Sequence, residues 1–351
     1  MTVPAAPRGS MEPGALDLLA DALSRLDDGY TGAVLAKAVE LRPDVHRIEL
    51  SGSPHGSVVA KRIRSKRAQL ERRVTDRWLP AVGLAGFGPP RLAAAAEPDG
   101  LFVWHVYEDL GPHGLDRESA DETAVRRAMD RLADLHAGFA RSPLLPEVRF
   151  AAGDLGAYFY TRSVRDAAAT IERMRPPYLR PSDEEAAVRD AVLARLHALL
   201  DDEPARVELI EQMAGPETLV HGDLTRENVF VLDNGSRPAV RLIDWDHVGV
   251  APAGFDLSTH LAYYPPALRT VVLDAYTTAM ADRGFPFRDG LDWDLLVSTF
   301  EAGRLANQLI WLSIGILEGN GWTFDGLADW GRALAASVDP PGTDLDESLR
   351  P

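Results

Sequence analysis

The chain contains no cysteine. That excludes disulfides, thiolate nucleophiles and cysteine-ligated metals, and it suits a reducing compartment. Lysine is nearly as scarce: only Lys37, Lys61 and Lys66 occur, so each can be weighed by itself. Long apolar runs are missing too. The longest near the end, "LIWLSIGIL" (309–317), is too short for a bilayer span and reads as a buried helix. The opening "MTVPAAPRGSMEPGALDLL" has no basic stretch followed by an apolar core. No secretory leader is expected, and a cytoplasmic location is. There is no Gly-x-Ser-x-Gly elbow, which with the missing cysteine argues against an acyl hydrolase. No internal repeat is visible. Positive charge is in deficit, 37 Lys and Arg against 53 Asp and Glu for a net charge of −16. A general nucleic-acid binder needs the opposite balance.

What is present is ordinary globular composition. The 351 residues are 46% hydrophobic and 26% charged, enough for one large two-lobed unit or two domains. The charge is uneven. From Leu41 to Arg91 there are 11 Lys and Arg against 4 Asp and Glu. A basic first portion and an acidic remainder would suit an anionic cofactor and a cationic substrate, or simply a solvated acidic surface.

Leu16, Leu19, Leu23 and Leu26 recur at helical spacing after Pro13 and predict a short amphipathic helix. "VHRIELSGSPHGSVVAKRIR" (45–64) reads as strand, glycine-containing turn and strand. "SKRAQLERRVTDRWL" (65–79) reads as helix, and "LFVWHVYEDLG" (101–111) as another apolar strand. Helical patterns follow. "SADE" (119–122) and "SDEE" (182–185) are capping boxes, and 154–180 is helical with a break at Pro176–Pro177. Strands at Val229–Leu232 and Val240–Ile243 form an inset hairpin. The last hundred residues return to helix, with loop signals at "YYPP" (263–266) and "EGNGW" (318–322).

The hairpin carries the chemistry. "LVHGDLTRENVFVLDNGSRPAVRLIDWDHV" (219–248) puts Asp223, Asn228 and Asp244 on short strand-flanked turns. Carboxylates so placed suit metal ions and proton transfer, although Asp and Asn singly often only cap turns. The Asp-x-x-x-x-Asn spacing matches a kinase catalytic loop, and Asp244 stands where kinases keep a metal-binding Asp after a strand. On His221-Gly222-Asp223…Asn228 and Ile243-Asp244-Trp245-Asp246 the sequence resembles the aminoglycoside phosphotransferase and choline-kinase-like family of small-molecule kinases. The resemblance covers roughly residues 30–330 by element order.

That resemblance implies an α+β, two-lobed protein-kinase-like fold. A small antiparallel-sheet lobe (29–109) would clamp phosphates, after a tail and helix at 1–28. A larger, mainly helical lobe (110–351) would hold the catalytic loop, the metal site and the acceptor site. Asp223 would be the base toward a substrate hydroxyl. Asn228 and Asp244 would hold magnesium, and ATP or GTP would donate the phosphate. Lys61, mid-strand, would contact the α/β-phosphates and pair with Glu71, the only acid in the ten residues after it. A solvent-facing lysine and a surface glutamate are the plainer alternative. "SGSPHGS" (51–57) would be the phosphate turn through the backbone of Ser53 to Ser57, including Gly56. It is neither a Gly-x-Gly-x-x-Gly nor a Walker loop, and a plain hairpin turn fits it equally. "YEDLG" (107–111) resembles the hinge that holds the purine, with Glu108 and Leu110 as contacts. His221 and Asp256 would be structural braces.

Departures from protein kinases point to a small acceptor. Gly222 replaces the Arg of His-Arg-Asp, and Phe255 follows Asp244 after only eleven residues with no Ala-Pro-Glu. Little room is left for a peptide-docking activation segment. Thr225 stands where protein kinases keep a lysine, and Arg226 would supply that charge. Asp246 would touch a second metal, the acceptor, or only cap a turn. Acceptor contacts are sought at Glu301, Asn307, Trp311 and Glu318. Core packing for Trp311 and a solvated helix face for the acids are the competing expectation. The expected activity is a resistance-type antibiotic kinase acting on a hydroxylated, cationic acceptor. The alternatives are a metabolic hydroxyl kinase (sugar, choline-like or amino-alcohol) or a non-catalytic nucleotide scaffold. No nucleic-acid or membrane partner is expected, and the protein should be a monomer or homodimer.

Overall fold

A computed structural model describes residues 13–24, 30, 34–53, 56–115, 122–232, 239–261 and 264–338. Leu26, Pro54, His55, Tyr263 and the first three residues of the "SADE" box lie outside the described residues, as does the expected tail at 1–11. In chain order the elements begin with α1 (Pro13–Ser24), β1 (Val34–Arg42), β2 (Val45–Ser51), β3 (Ser57–Arg64) and α2 (Ser65–Arg73). A π-helical turn (Val74–Trp78) leads into α3 (Leu79–Ala81), β4 (Arg91–Ala96) and β5 (Phe102–Glu108). Then come α4 (Glu122–Phe139), α5 (Leu145–Ala152), α6 (Ala157–Glu172), α7 (Asp183–Asp201) and α8 (Glu203–Met213). Next come β6 (Glu217–Val220), β7 (Val229–Leu232), β8 (Ala239–Leu242) and β9 (Gly249–Pro252). Last are α9 (Gly254–Leu261), α10 (Pro266–Asp282), α11 (Trp293–Leu317) and α12 (Phe324–Val338).

The chain divides into two compact units, residues 1–128 with 226–246, and residues 129–225 with 247–351. The first is built on a five-stranded sheet in the order β1-β2-β3-β5-β4, with every pairing antiparallel. Strand alternation sets its two faces. Trp104 and Val106 point to a core with Ile48, Leu50, Val58, Ala60, Leu19 and Leu23, which covers that face with α1. His105 and Tyr107 point to the other face, with Lys61 directly opposite His105. The β7–β8 hairpin is sewn to this unit. Leu115 N donates to Val229 O at 2.9 Å, Val231 N to His113 O at 3.0 Å, and Leu242 N to Phe87 O at 2.8 Å. Phe87 and Trp245 pack ring against ring. These bonds carry Asn228 and Asp244 to the sheet, although more than a hundred residues separate them from it in sequence.

The second unit is mainly helical. Its core joins α6, α7, α9, α11 and α12 through Tyr160, Val164, Val192, Leu196, Phe255, Phe300, Leu309 and Leu334. Phe255 and Phe300 meet edge to face at 5.1 Å, the geometry aromatic quadrupoles favour. α7 opens on the expected capping box, Ser182 with Glu185. β6 pairs with β9 antiparallel and carries the chain into His221. No described helix is long and apolar enough to cross a membrane.

Candidate active site

In the first unit the site starts from Lys61. β3 runs without a loop into α2, so Glu71 returns two turns along the helix over the sheet face that Lys61 occupies. Lys61 Nζ donates to Glu71 Oε1 at 2.7 Å and to Asp244 Oδ1. Burial opposes the Lys61 charge, but Glu71, Asp244 and Asp246 outweigh it and hold the ammonium above its ordinary pKa. Glu71 is buried. Burial alone would raise its pKa, yet hydrogen bonding from His105, Lys61 and Tyr107 brings it below the ordinary value. Tyr107 Oη donates to Glu71 Oε2 at 2.7 Å, and His105 Nδ1 lies 3.0 Å from that hydroxyl. His105 and Tyr107 are part of the site and were not anticipated. Their i, i+2 spacing on an otherwise apolar strand was the available signal. Glu71→Ala would leave Lys61 only Asp244 as its carboxylate and His105 and Tyr107 only each other. A loss of about 1–3 kcal/mol is expected, read as a lower urea midpoint with unchanged slope.

Asp244 ends the hairpin with φ 68°. A non-glycine residue in the left-handed region is uncommon and tends to mark a functional constraint. Its second oxygen, Oδ2, accepts from Arg42 Nη2 at 2.8 Å. Asp246 Oδ2 instead takes Arg67 at 2.8 Å. Asn228 is buried at the end of a 3-10 turn, directly before β7. Arg226, in the same turn, donates to Leu115 O. A cavity of about 320 Å³ opens beside Lys61 and Asp244, and Asn228, Arg226 and Asp246 are not among its lining residues. Lys61, Glu71, Asp244 and Arg42 line one part of it, Val45, Val59, Phe230 and Ile243 its apolar walls, and residues 107–111 its rim. Glu108 and Leu110 both reach the cavity, with Glu108 N donating to Pro90 O at 3.0 Å. Asp109 is the rim's anchor: it accepts from Arg47 Nε at 2.6 Å, Ser57 Oγ at 2.7 Å and Gly111 N at 3.0 Å.

The expected phosphate turn lies away from Lys61. Ser53 and Gly56 belong to the β2–β3 hairpin turn, closed by Leu50 N to Gly56 O at 2.8 Å. That turn adjoins Glu49↔Ser57, the end of β3 remote from Lys61, and neither residue lines the cavity. The turn next to Lys61 is Pro43–Asp44 between β1 and β2, because Val45 is the residue opposite Lys61.

In the second unit, Asp223 lies on the loop after β6, half-buried. The loop is fixed from below by Asp256, which is fully buried at the start of α9. Its carboxylate accepts from His221 N at 2.7 Å, Gly222 N at 2.9 Å and His136 Nε2 at 3.1 Å. Tyr276 holds the other side of the His136 ring. His221 Nδ1 accepts from Asp223 N at 3.3 Å. Both residues therefore brace the loop, as expected. Gly222 has φ 85°, and a β-carbon there would overlap the backbone of His247, 2.7 Å from its carbonyl carbon. No side chain fits, which explains the missing arginine. Gly222→Ala is expected to cost at least about 1–3 kcal/mol from the backbone conformation alone, measurable as a lower melting temperature.

On α11 the candidate acceptor residues separate. Trp311 is not core: it is 63% exposed. Core packing falls to Leu309 and Leu312 instead, because the buried stripe of α11 runs through Leu309, Leu312, Ser313 and Ile316. Glu301 is tied to Arg304, which also donates to Ser258 and Thr259. Glu318 ends the helix and accepts from Asn320 at 2.8 Å, and Asn307 is half-buried.

The sheet unit and the helical unit have the architecture of kinase-like small-molecule phosphotransferases. The GDP and kanamycin complex of the aminoglycoside enzyme APH(2")-IIIa matches with TM-score 0.56 and 16% identity over 93% of this chain and 99% of that one. An ethanolamine kinase from Plasmodium vivax matches with TM-score 0.55 and 14% identity, covering 88% and 83%. The macrolide 2'-phosphotransferase MphH from Brachybacterium faecium matches with TM-score 0.52 and 19% identity, covering 94% and 100%. At such identities the likeness concerns the fold. No curated protein matches the sequence. The model of the phosphotransferase enzyme family, however, matches residues 44–291, well over half the chain and every residue of the two motifs, and the chain belongs to that family.

Proposed function

We propose that this phosphotransferase moves the γ-phosphate of ATP or GTP onto a hydroxyl of a small, antibiotic-like acceptor, as a resistance-type enzyme. The observation that carries the reading is the Lys61 ammonium, held by Glu71 at 2.7 Å and turned into a cavity that also receives Asp244. A lysine kept charged and oriented by a buried carboxylate suits a polyphosphate. The apolar walls and the 107–111 rim suit a nucleobase.

Among the described residues no group of three or more His, Asp or Glu could hold a metal. Magnesium does not need one. It takes one or two protein oxygens and completes its shell with phosphate and water. The Asn228 amide and Asp244 carboxylate are hard oxygen donors of that kind, and two protein cations already gather on Asp244. Those residues would hold magnesium, which when bound neutralises charge on the phosphates. Asp223 accepts a hydrogen bond from the acceptor hydroxyl, orients it and takes its proton. Its loop is held by Asp256, so little reorganisation accompanies the transfer. The net charge of −16 favours a cationic acceptor through faster encounter and discrimination.

The second reading, a metabolic amino-alcohol or sugar kinase, draws on the similar fold of the ethanolamine kinase. Turnover of a mixed panel of hydroxylated antibiotics, amino alcohols and sugars with magnesium and ATP or GTP, read by mass spectrometry, separates the two. A phosphate gain on an antibiotic is expected. Gains confined to the metabolites would replace the first reading with the second.

A further inference from the structure

We infer that Arg42 is a further phosphate ligand, the residue that meets the terminal phosphates of the bound nucleotide. The inference rests on the proposed nucleotide site at the Lys61 cavity.

The sheet itself aims Arg42. In regular register, Glu40 opposite His46 would put Leu41 opposite Val45. A bulge between Glu40 and Arg42 instead sets Arg42 opposite Val45. The bulge brings Arg42 into this row, while Leu41 beside it also lines the cavity. Val45 is in turn opposite Lys61, and Lys61 opposite His105. Arg42, Val45, Lys61 and His105 thus form one row across four strands, on one face. Two cations of that row end on one carboxylate: Lys61 on Asp244 Oδ1 and Arg42 on Oδ2 at 2.8 Å.

The turn beside them offers a phosphate little backbone help. It has no glycine, Pro43 has no N–H to donate, and Asp44 brings a negative charge at φ 64°. Kinases that cover phosphates with glycine-rich backbone do not need a cation at this place. Here a guanidinium stands in for those amides, and its planar fork matches phosphate oxygens two at a time. The Arg42 side chain is 43% exposed, and so exposed a pair holds loosely. When a nucleotide arrives, Arg42 leaves Asp244 for phosphate oxygen, and the freed carboxylate oxygen becomes available for magnesium.

Calorimetric titration of the wild type, Arg42→Ala and Arg42→Lys with a nucleoside triphosphate, the matching diphosphate and the bare nucleoside, all in EDTA, tests this without turnover. Arg42→Ala should weaken triphosphate binding about ten- to a hundredfold and leave the nucleoside within about twofold. Arg42→Lys should recover part of the loss. Equal losses for triphosphate and nucleoside would mean that Arg42 only shapes the hairpin, and no loss would mean that it touches no phosphate. Either overturns the inference while the nucleotide site stands. A wild type that binds none of the three would overturn the site and the inference together.

Discussion

Asp223→Asn is expected to lower kcat about 10²- to 10⁴-fold, the usual contribution of a general base, with nucleotide affinity nearly unchanged. The amide keeps the shape of the side chain but cannot take a proton. The loop's brace uses other atoms: His221 Nδ1 receives the Asp223 backbone N–H, and Asp256 receives the N–H groups of His221 and Gly222. Melting temperature should therefore change little. The two readings of Asp223 part here. If it merely caps a turn, Asp223→Asn would cost stability in proportion to activity. If it is the base, activity falls alone. Steady-state kinetics beside a melting curve decides between them.

Asp256→Ala is expected to destabilise the helical unit by about 3–5 kcal/mol, the scale for stripping one partner from a buried, charge-assisted network. Two backbone N–H groups and one imidazole N–H would lose their acceptor inside the protein, where water cannot replace it. The same network makes stability depend on pH. Burial raises the Asp256 pKa, but the hydrogen bond and charge of His136, the charge of His221 and the His221 N–H outweigh it and hold the group below its ordinary 3.8. With the folded-state value depressed, the stabilisation is complete above the unfolded value and is lost as pH falls through the folded one. The wild type should thus lose stability steeply below about pH 4. Asp256→Asn should start lower and show a shallower acid slope. Urea midpoints taken from neutral pH into acid measure both, and an unchanged acid slope in Asp256→Asn would assign the pH dependence to other carboxylates.

The residues proposed to act on phosphate were legible because their spacing is short and their types are few. Asp223, Asn228 and Asp244 lie within 22 residues, and with three lysines in the chain Lys61 stood out. Glu71 followed because no rival acid lies between. What stayed hidden depends on pairing across distance. β1 (VLAKAVELR) and β4 (RLAAAA) are rich in Ala, Leu, Lys and Glu, good helix formers. Only hydrogen bonding to β2 and β5 makes them strands. Missing β1 meant missing the Pro43–Asp44 turn, and with it Arg42. His105 and Tyr107 read as ordinary members of an apolar strand until Glu71 was found over them. On α11, "LIWLSIGIL" is apolar nearly all round, so its periodicity could not say that Trp311 faces outward.

The most direct test of the account is a crystal structure with magnesium and a non-hydrolysable ATP or GTP analogue. The expected result is a nucleotide in the Lys61 cavity, with its base at the 107–111 rim, Lys61 on its phosphates and the metal held by Asn228 and Asp244. A nucleotide bound elsewhere, or in the cavity with its phosphates turned away from Lys61 and Asp244, would contradict it.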